Sequence, residues 1–349
     1  MDTLGGAEFA PAHTYLNTSS CGLLPRRTIE AMNALMAETA AGAPGGLGSH
    51  ETVEAARAAF ARLVGVRTDR VAVGSSVAVH VGLIAASLPA GAEVLLPEGD
   101  FSSVVTPFTV RPDLKPRFVP LDELAGAVRP GTALVALSAV QSSNGRVADL
   151  AAVREAASAH GARTLLDATQ SAGWLPLDAG AYDYTVTGAY KYLVSPRGAS
   201  FLTVTEDAQD SLLPIHAGWY AAENRTAENS YGPADPLAST ALRFDEGPVY
   251  LSYHGAEQSL ALLSAVGVDT IHAHVTALAA RLRSGLASLG YAPQPGESAI
   301  VAVPGLAGRL PELERAGVVT AARAGNLRVS FHLYNSAADV DRVLDVLGG

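Results

Sequence analysis

An acid and an amine, Asp167 and Lys191, are the side chains of this chain whose types and spacing best suit chemistry. Asp167 closes the apolar run 164–166, whose unbroken hydrophobicity predicts a strand buried on both faces of a parallel sheet. A carboxylate there is costly unless partnered. Lys191 follows a second apolar run, 184–187, inside GAYKYLVSPRG, where Gly188 and the Pro196-Arg197-Gly198 turn predict a loop holding the amine at the sheet's edge. The separation, 191 − 167 = 24 residues, suits one strand–loop–strand excursion. Such a pair can serve pyridoxal phosphate (PLP): the lysine forms a Schiff base with the aldehyde, and the acid keeps the ring nitrogen protonated so that the ring withdraws electrons. The pair alone is weak, since an Asp after a strand and a Lys in a loop occur in most α/β proteins.

The surrounding strings carry more. LLDATQSAGWLPLD followed by DYTVTGAYKYLVSPRGASFLTV resembles the cofactor region of the class V aminotransferases, fold-type-I PLP enzymes that include cysteine desulfurases, kynureninase-like enzymes and isopenicillin N epimerase-like proteins. The resemblance implies that Asp167 contacts the pyridine nitrogen, Gln170 the phenolic oxygen, and Lys191 the aldehyde carbon. Tyr190 stands beside the lysine where the family usually has His. The implied architecture is an α/β fold-type-I PLP-dependent transferase. Its large domain, 26–289, holds a mostly parallel seven-stranded sheet. A smaller α+β domain covers 290–349, and an N-terminal segment, 1–25, lies at the active-site mouth.

The remaining site residues follow along the chain. A strand over 71–73 runs through Gly74-Ser75-Ser76 into a helix, a junction that reads as an anion site, from free N–H groups and the helix dipole, or as an ordinary Ser N-cap. The resemblance assigns Ser75, Ser76 and Val77 to the cofactor phosphate. The family's Thr-x-Gly-x-Thr is here Gly74, Ser76 and Ala78, so backbone donors must contribute more. It also places Phe101 over the pyridine ring and Ser142 where an Asn often contacts the cofactor. Arg328, in LRVSFHLYN, matches the arginine that holds an amino acid's α-carboxylate, a role suited to a planar guanidinium fork. Asn17 and Ser20, with Ser19, are substrate contacts by resemblance and equally turn formers by residue type. Trp219 and Tyr220, with His216, are pocket residues or packing residues. His80, a turn into the helix after Ser76, reads as packing.

The elements that must position these residues show a βαβ rhythm. Strands are expected over 93–96, 116–119, 133–137 and 201–204, with helices over 51–64, 121–127 and 150–160. In the helix 51–64, Arg57 and Arg62 are expected to be largely solvated. The polar, Gly/Pro-rich segment 216–255 resembles the family's dimer-crossing element, in which an R-F-E-x-G-T string reaches the other subunit's phosphate. The string here is Arg243-Phe244-Asp245-Glu246-Gly247-Pro248, so Tyr250 or Ser252 is expected to replace the missing hydroxyl. A homodimer with shared active sites is implied, 231–253 contributing to the neighbour's site.

Composition agrees. With 349 residues, 48% of them hydrophobic, the chain can bury a large core. The net charge of −10 argues against nucleic acid, no apolar run approaches membrane-spanning length, and a cytoplasmic location is expected. Cys21 is the only cysteine, which excludes intrachain disulfides; no metal site is expected. The expected activity is a class V aminotransferase acting on a small amino acid, with a C–S (β-elimination) lyase or an amino acid epimerase as alternatives. A persulfide-forming cysteine desulfurase is disfavoured, because Phe101 stands where those enzymes have His and GVVTAARAGNLRVS before Arg328 contains no cysteine.

Overall fold

The computed structural model describes residues 2–226 and 230–349; residues 227–229, inside the polar segment 216–255, lie outside that description. After a short strand β1 (Thr14–Tyr15), the chain lays down β2 (Val71–Gly74), β3 (Glu93–Pro97), β4 (Lys115–Val119), β5 (Thr132–Ser138), β6 (Arg163–Asp167), β7 (Tyr184–Gly188) and β8 (Ser200–Val204). These last seven form one sheet in the order β2-β8-β7-β6-β5-β3-β4. Neighbours from β7 to β4 run parallel, whereas β8 is antiparallel to both β7 and β2. β7 and β8 are buried along their whole length, as continuous apolar runs in a sheet covered on both faces must be. The chain is thus an α/β protein with a mostly parallel central sheet, as fold type I requires.

The register sets the position of the acid. Asp167 pairs with Ser138 of β5 on one side and Val186 of β7 on the other, at the carboxyl ends of three adjacent strands. That edge is where open α/β sheets bind ligands.

Towards the C-terminus, β9 (Ile300–Pro304), β11 (Ala321–Arg323) and β12 (Asn326–Ser330) make a three-stranded antiparallel sheet, and β10 (Val318–Val319) pairs in parallel with β1. Just past β1, an isolated parallel bridge from Asn17 to Ser330 of β12 brings 17–21 onto the strand that carries Arg328. No single helix among the described residues is long and apolar enough to cross a membrane; the one successive pair that could by composition, Tyr250–Val266 and Val268–Ser288, is bent by 80°.

Two expectations are corrected. The stretch 121–127 forms only a 3-10 turn, Leu121–Glu123, because Pro120, Gly126 and Pro130 leave too few residues for a regular helix. Arg57 is not solvated but fully buried: Nη2 and Nη1 donate to the two oxygens of Asp245 at 2.7 and 2.9 Å, Nη1 to Val71 O at 2.5 Å, and Nε to Glu54 at 3.0 Å. Its partner lies 188 residues away, beyond the reach of helical periodicity.

Candidate active site

The two strand ends are tied together by one residue. Thr169 donates its N–H to Asp167 Oδ1 at 2.8 Å, an Asx-type turn, and its hydroxyl accepts Gly188 N–H at 3.0 Å from the end of β7. Lys191 follows in a tight loop, closed by Ser195 N–H to Ala189 O at 3.1 Å, in which Val194 takes a left-handed φ of 45°. The N-terminal loop clamps this turn: Gly22 N–H donates to Tyr190 O at 2.9 Å, and a Cβ at position 22 would lie 2.1 Å from Lys191 O, so only glycine fits.

Burial moves both titrating groups toward neutrality. It pushes the Asp167 carboxyl up to about 6, opposed by the hydrogen bonds of Thr169 and the charge of Lys191. It lowers the Lys191 amine to about 8, opposed by Asp167 and reinforced by Arg328, Arg197 and Arg323. Lys191 Nζ lies 4.8 Å from the Phe101 ring centroid and 5.6 Å from that of Tyr190, whose ring also carries the Arg197 guanidinium at 4.1 Å. Phe101 is oriented from behind: Asp100 accepts its N–H at 2.6 Å and, from the end of β5, the Ser138 N–H at 2.8 Å and hydroxyl at 2.5 Å. A cavity lined by Ser76, Val77, Phe101, Asp167, Tyr190 and Lys191 joins these groups.

Behind the cavity lining, within reach of the Lys191 charge, stands an arginine with no acidic partner among the described residues. Arg328 is 1% exposed; Nη1 donates to Ser142 O at 2.5 Å and Ser142 Oγ at 3.1 Å, Nη2 to Ser20 Oγ at 2.6 Å, and Nε is buried with no acceptor. Desolvation, with help from the nearby charge of Arg323, lowers its pKa to about 10. Gln170 Nε2 donates to Ser142 Oγ at 2.8 Å and to Ser19 O at 2.9 Å, so Ser142 links Gln170 to Arg328.

Comparison with known proteins gives the family. The family model "Aminotransferase class-V" matches residues 14–343. The chain belongs to the class V aminotransferase family. It is 28% identical over 315 residues to the uncharacterized aminotransferase YcbU of Bacillus subtilis, covering 84% of this chain and 83% of that protein. It is 28% identical to isopenicillin N epimerase of Amycolatopsis lactamdurans, covering 97% and 95%. Among solved structures, the complex of the cystine C-S lyase C-DES with cysteine persulfide superposes with a TM-score of 0.85 at 22% identity, covering 97% of each chain. The apo cysteine desulfurase from Thermococcus onnurineus gives 0.82 at 20%, covering 96% and 94%. At those identities the structures speak for the fold.

The cofactor of this class V family is pyridoxal 5′-phosphate, and the residues present fit it. Asp167, the acid for the ring nitrogen, and Lys191, the amine for the aldehyde, both line the same cavity. The helix Val77–Ser87 starts at the cavity, with Ser76 as N-cap accepting Val79 N–H at 3.4 Å. The N–H groups of Ser76, Val77 and Ala78 have no protein acceptor among the described residues, leaving an anion cradle open. Ser75 departs from the expectation: its N–H and Oγ both donate to Glu246 Oε2, at 2.6 and 2.9 Å, because the segment after Asp245 folds onto its own chain's helix start.

Other expected residues gather elsewhere. Trp219 and Tyr220 do not line this cavity; they pack edge-on to each other around His50, with Tyr250 OH bonded to His50 Nδ1 at 2.8 Å. Ser252 Oγ donates to Arg197 O at 2.7 Å. Neither hydroxyl is therefore unengaged within the protomer. Asn17 Oδ1 is buried and unpartnered one turn from Ser20, while His80 is buried and bonded to Ser200 Oγ at 3.0 Å. Sequence reading missed Asp100, Thr169 and Glu246. The first two have a legible signal, Asp followed by a turn at a strand end; Glu246 has none, since its partner is remote.

Proposed function

We propose that this protein is an aminotransferase acting on a small α-amino acid, with Lys191 as its proton-transferring base. The observation that carries the reading is a buried amine, Lys191, whose pKa burial lowers to about 8 and which feels the charge of a buried guanidinium, Arg328, with no acidic partner among the described residues. When bound, PLP supplies an aldehyde for the substrate amine and a ring that takes up the electron pair released at Cα.

The chain's own residues account for the rest. Arg328 and Ser20 hold the substrate carboxylate, which fixes the direction in which the Cα–H bond points. Lys191 Nζ, whose own proton burial makes easier to lose, would take that proton and return it two atoms along, the 1,3-shift that single-base transamination requires. Asp167, at hydrogen-bond distance from no cation among the described residues, would hold a proton on the ring nitrogen. Phe101 would cover one face of the cofactor without offering a proton, and Gln170 would have to release Ser142 or Ser19 O to donate to its phenolic oxygen. Ser76 and Val77 take the phosphate at the helix start. One amine in the cavity favours transfer over two-base epimerisation, and the sole thiol, Cys21, donates to Gly22 O at 3.6 Å on the N-terminal loop rather than preceding Arg328.

We also read the protein as a homodimer with shared sites, supported by the clustering of Trp219, Tyr220 and Tyr250 outside the protomer's own cavity. Sedimentation should give a dimer, and an active monomer would contradict it. The activity is tested by incubating PLP-loaded protein with small amino acids and a 2-oxo acid. A new amino acid formed one-for-one with the donor's oxo acid is expected. Ammonia and pyruvate without an acceptor would mean a lyase, and inversion at Cα without transfer an epimerase.

A further inference from the structure

A carboxylate stands immediately beside the open amides of the helix start. Glu246 Oε2 accepts from Ser75 N–H at 2.6 Å and from Ser75 Oγ at 2.9 Å, immediately before the helix whose first amides stand open. The carboxylate is held there by structure on both sides. Glu246 N–H donates to Val73 O at 3.0 Å, and the preceding Asp245 accepts Val73 N–H at 2.8 Å and is gripped by Arg57 and Arg225. Gly74 makes the room: a Cβ there would lie 2.8 Å from Glu246 Oε2 and 2.6 Å from His80 Cε1. Among the described residues no lysine or arginine pairs with Glu246, since the arginines beside it are spent on Asp245 and Glu54. His80, the nearest basic ring, is buried and kept neutral, so it does not offset the charge.

We propose that Glu246 is an affinity-setting residue of the phosphate site, a fixed carboxylate that repels the cofactor's phosphate and keeps PLP exchangeable. A phosphate held by the amides of Ser76, Val77 and Ala78 sits beside this carboxylate, and two anions sharing one helix start oppose each other. The inference rests on the reading that the helix start takes the phosphate. Its chemical consequence is selective: the penalty falls on the phosphate alone and leaves the ring and aldehyde untouched.

The test is a titration of apoprotein with PLP and, separately, with pyridoxal, which has the same ring and aldehyde but no phosphate, reading the absorbance of the lysine-bound form. Glu246→Gln keeps an acceptor for Ser75 and removes the charge; it should tighten PLP at least about tenfold and move pyridoxal less than about twofold. Glu246→Ala, which does not depend on the amide's fit, should act in the same direction. PLP affinity that is unchanged or weaker in both variants, or PLP and pyridoxal tightening together, would overturn the proposal. Val77→Pro separates it from the reading beneath it. Proline is tolerated at the first helical position, and Ser76 is already extended at φ −162°, ψ 158°, so this variant removes one amide donor from an intact helix. It should weaken PLP and spare pyridoxal; PLP binding indifferent to Val77→Pro would mean that the phosphate binds elsewhere, whatever Glu246 does.

Discussion

Removing the guanidinium fork of Arg328 should cost activity only on substrates that carry a carboxylate. Its side chain is fully buried, engaged with Ser142 and Ser20, and has no carboxylate partner among the described residues, so on the proposed reading the incoming substrate is the acid that completes it. A hydrogen bond to a charged group contributes about 1.5–3 kcal/mol, and a bidentate pair about twice that. Arg328→Gln loses the charge and the fork, which predicts a fall in kcat/KM of about 10²–10⁴ for amino acids, at about 1.4 kcal/mol per factor of ten. Arg328→Lys keeps a point charge and should lose about 10–100-fold. The assay is the single-turnover change in cofactor absorbance, run with an amino acid and with the amine formed by deleting its carboxylate. The amine should react equally slowly with wild type and both variants, within about threefold. Equal losses for amino acid and amine would mean that Arg328 acts through folding alone, and no loss for either would remove it from substrate binding.

Four further outcomes follow from the same geometry. Asp167→Asn should retain PLP yet lose at least about 10²-fold in turnover, because an unprotonated ring is a poor electron sink. In wild-type apoprotein the raised Asp167 pKa means that the folded state disfavours the ionised carboxylate. Stability contributed by its protonated form should therefore fall by about 2–3 kcal/mol as pH rises from about 4 to about 6, and calorimetry should find that fall absent in the variant. Capture of PLP by apoprotein needs the neutral amine, so its rate should climb with pH and level off above about 8, where burial has placed Lys191; a midpoint near the ordinary lysine value of 10.5 would refute that placement. Arg57→Met should destabilise the fold by about 3–5 kcal/mol in urea melts, since Asp245 would stay buried with Arg225 alone.

The strand ends and their chemistry were legible because each is a local pattern. The apolar runs of β6 and β7, the Asp that closes one and the glycine that closes the other reach the eye without any knowledge of the rest of the chain. Arg328 and Ser142 were legible only through resemblance, since their meeting joins residues 186 positions apart. What stayed hidden was long-range pairing of charge. Arg57 lies on a helix face whose neighbours are apolar, and only the distant Asp245 makes its burial favourable. Glu246 reaches Ser75 across 171 residues, through space that Gly74 leaves empty, and neither residue announces the other. The aromatic group around His50 was hidden for the same reason: Trp219 and Tyr250 come from different segments and meet on a helix start that sequence periodicity cannot assign to them.

The central claim is that Lys191 is the residue that holds the cofactor. It is tested most directly by reducing the PLP-loaded protein with borohydride, digesting it and locating the pyridoxyl group by mass spectrometry. The account predicts a yellow protein that bleaches on reduction, with the group on Lys191 at close to one per chain, and a Lys191→Ala variant that shows neither colour nor adduct. A pyridoxyl group on another lysine, or a visible band that survives in Lys191→Ala, would contradict it.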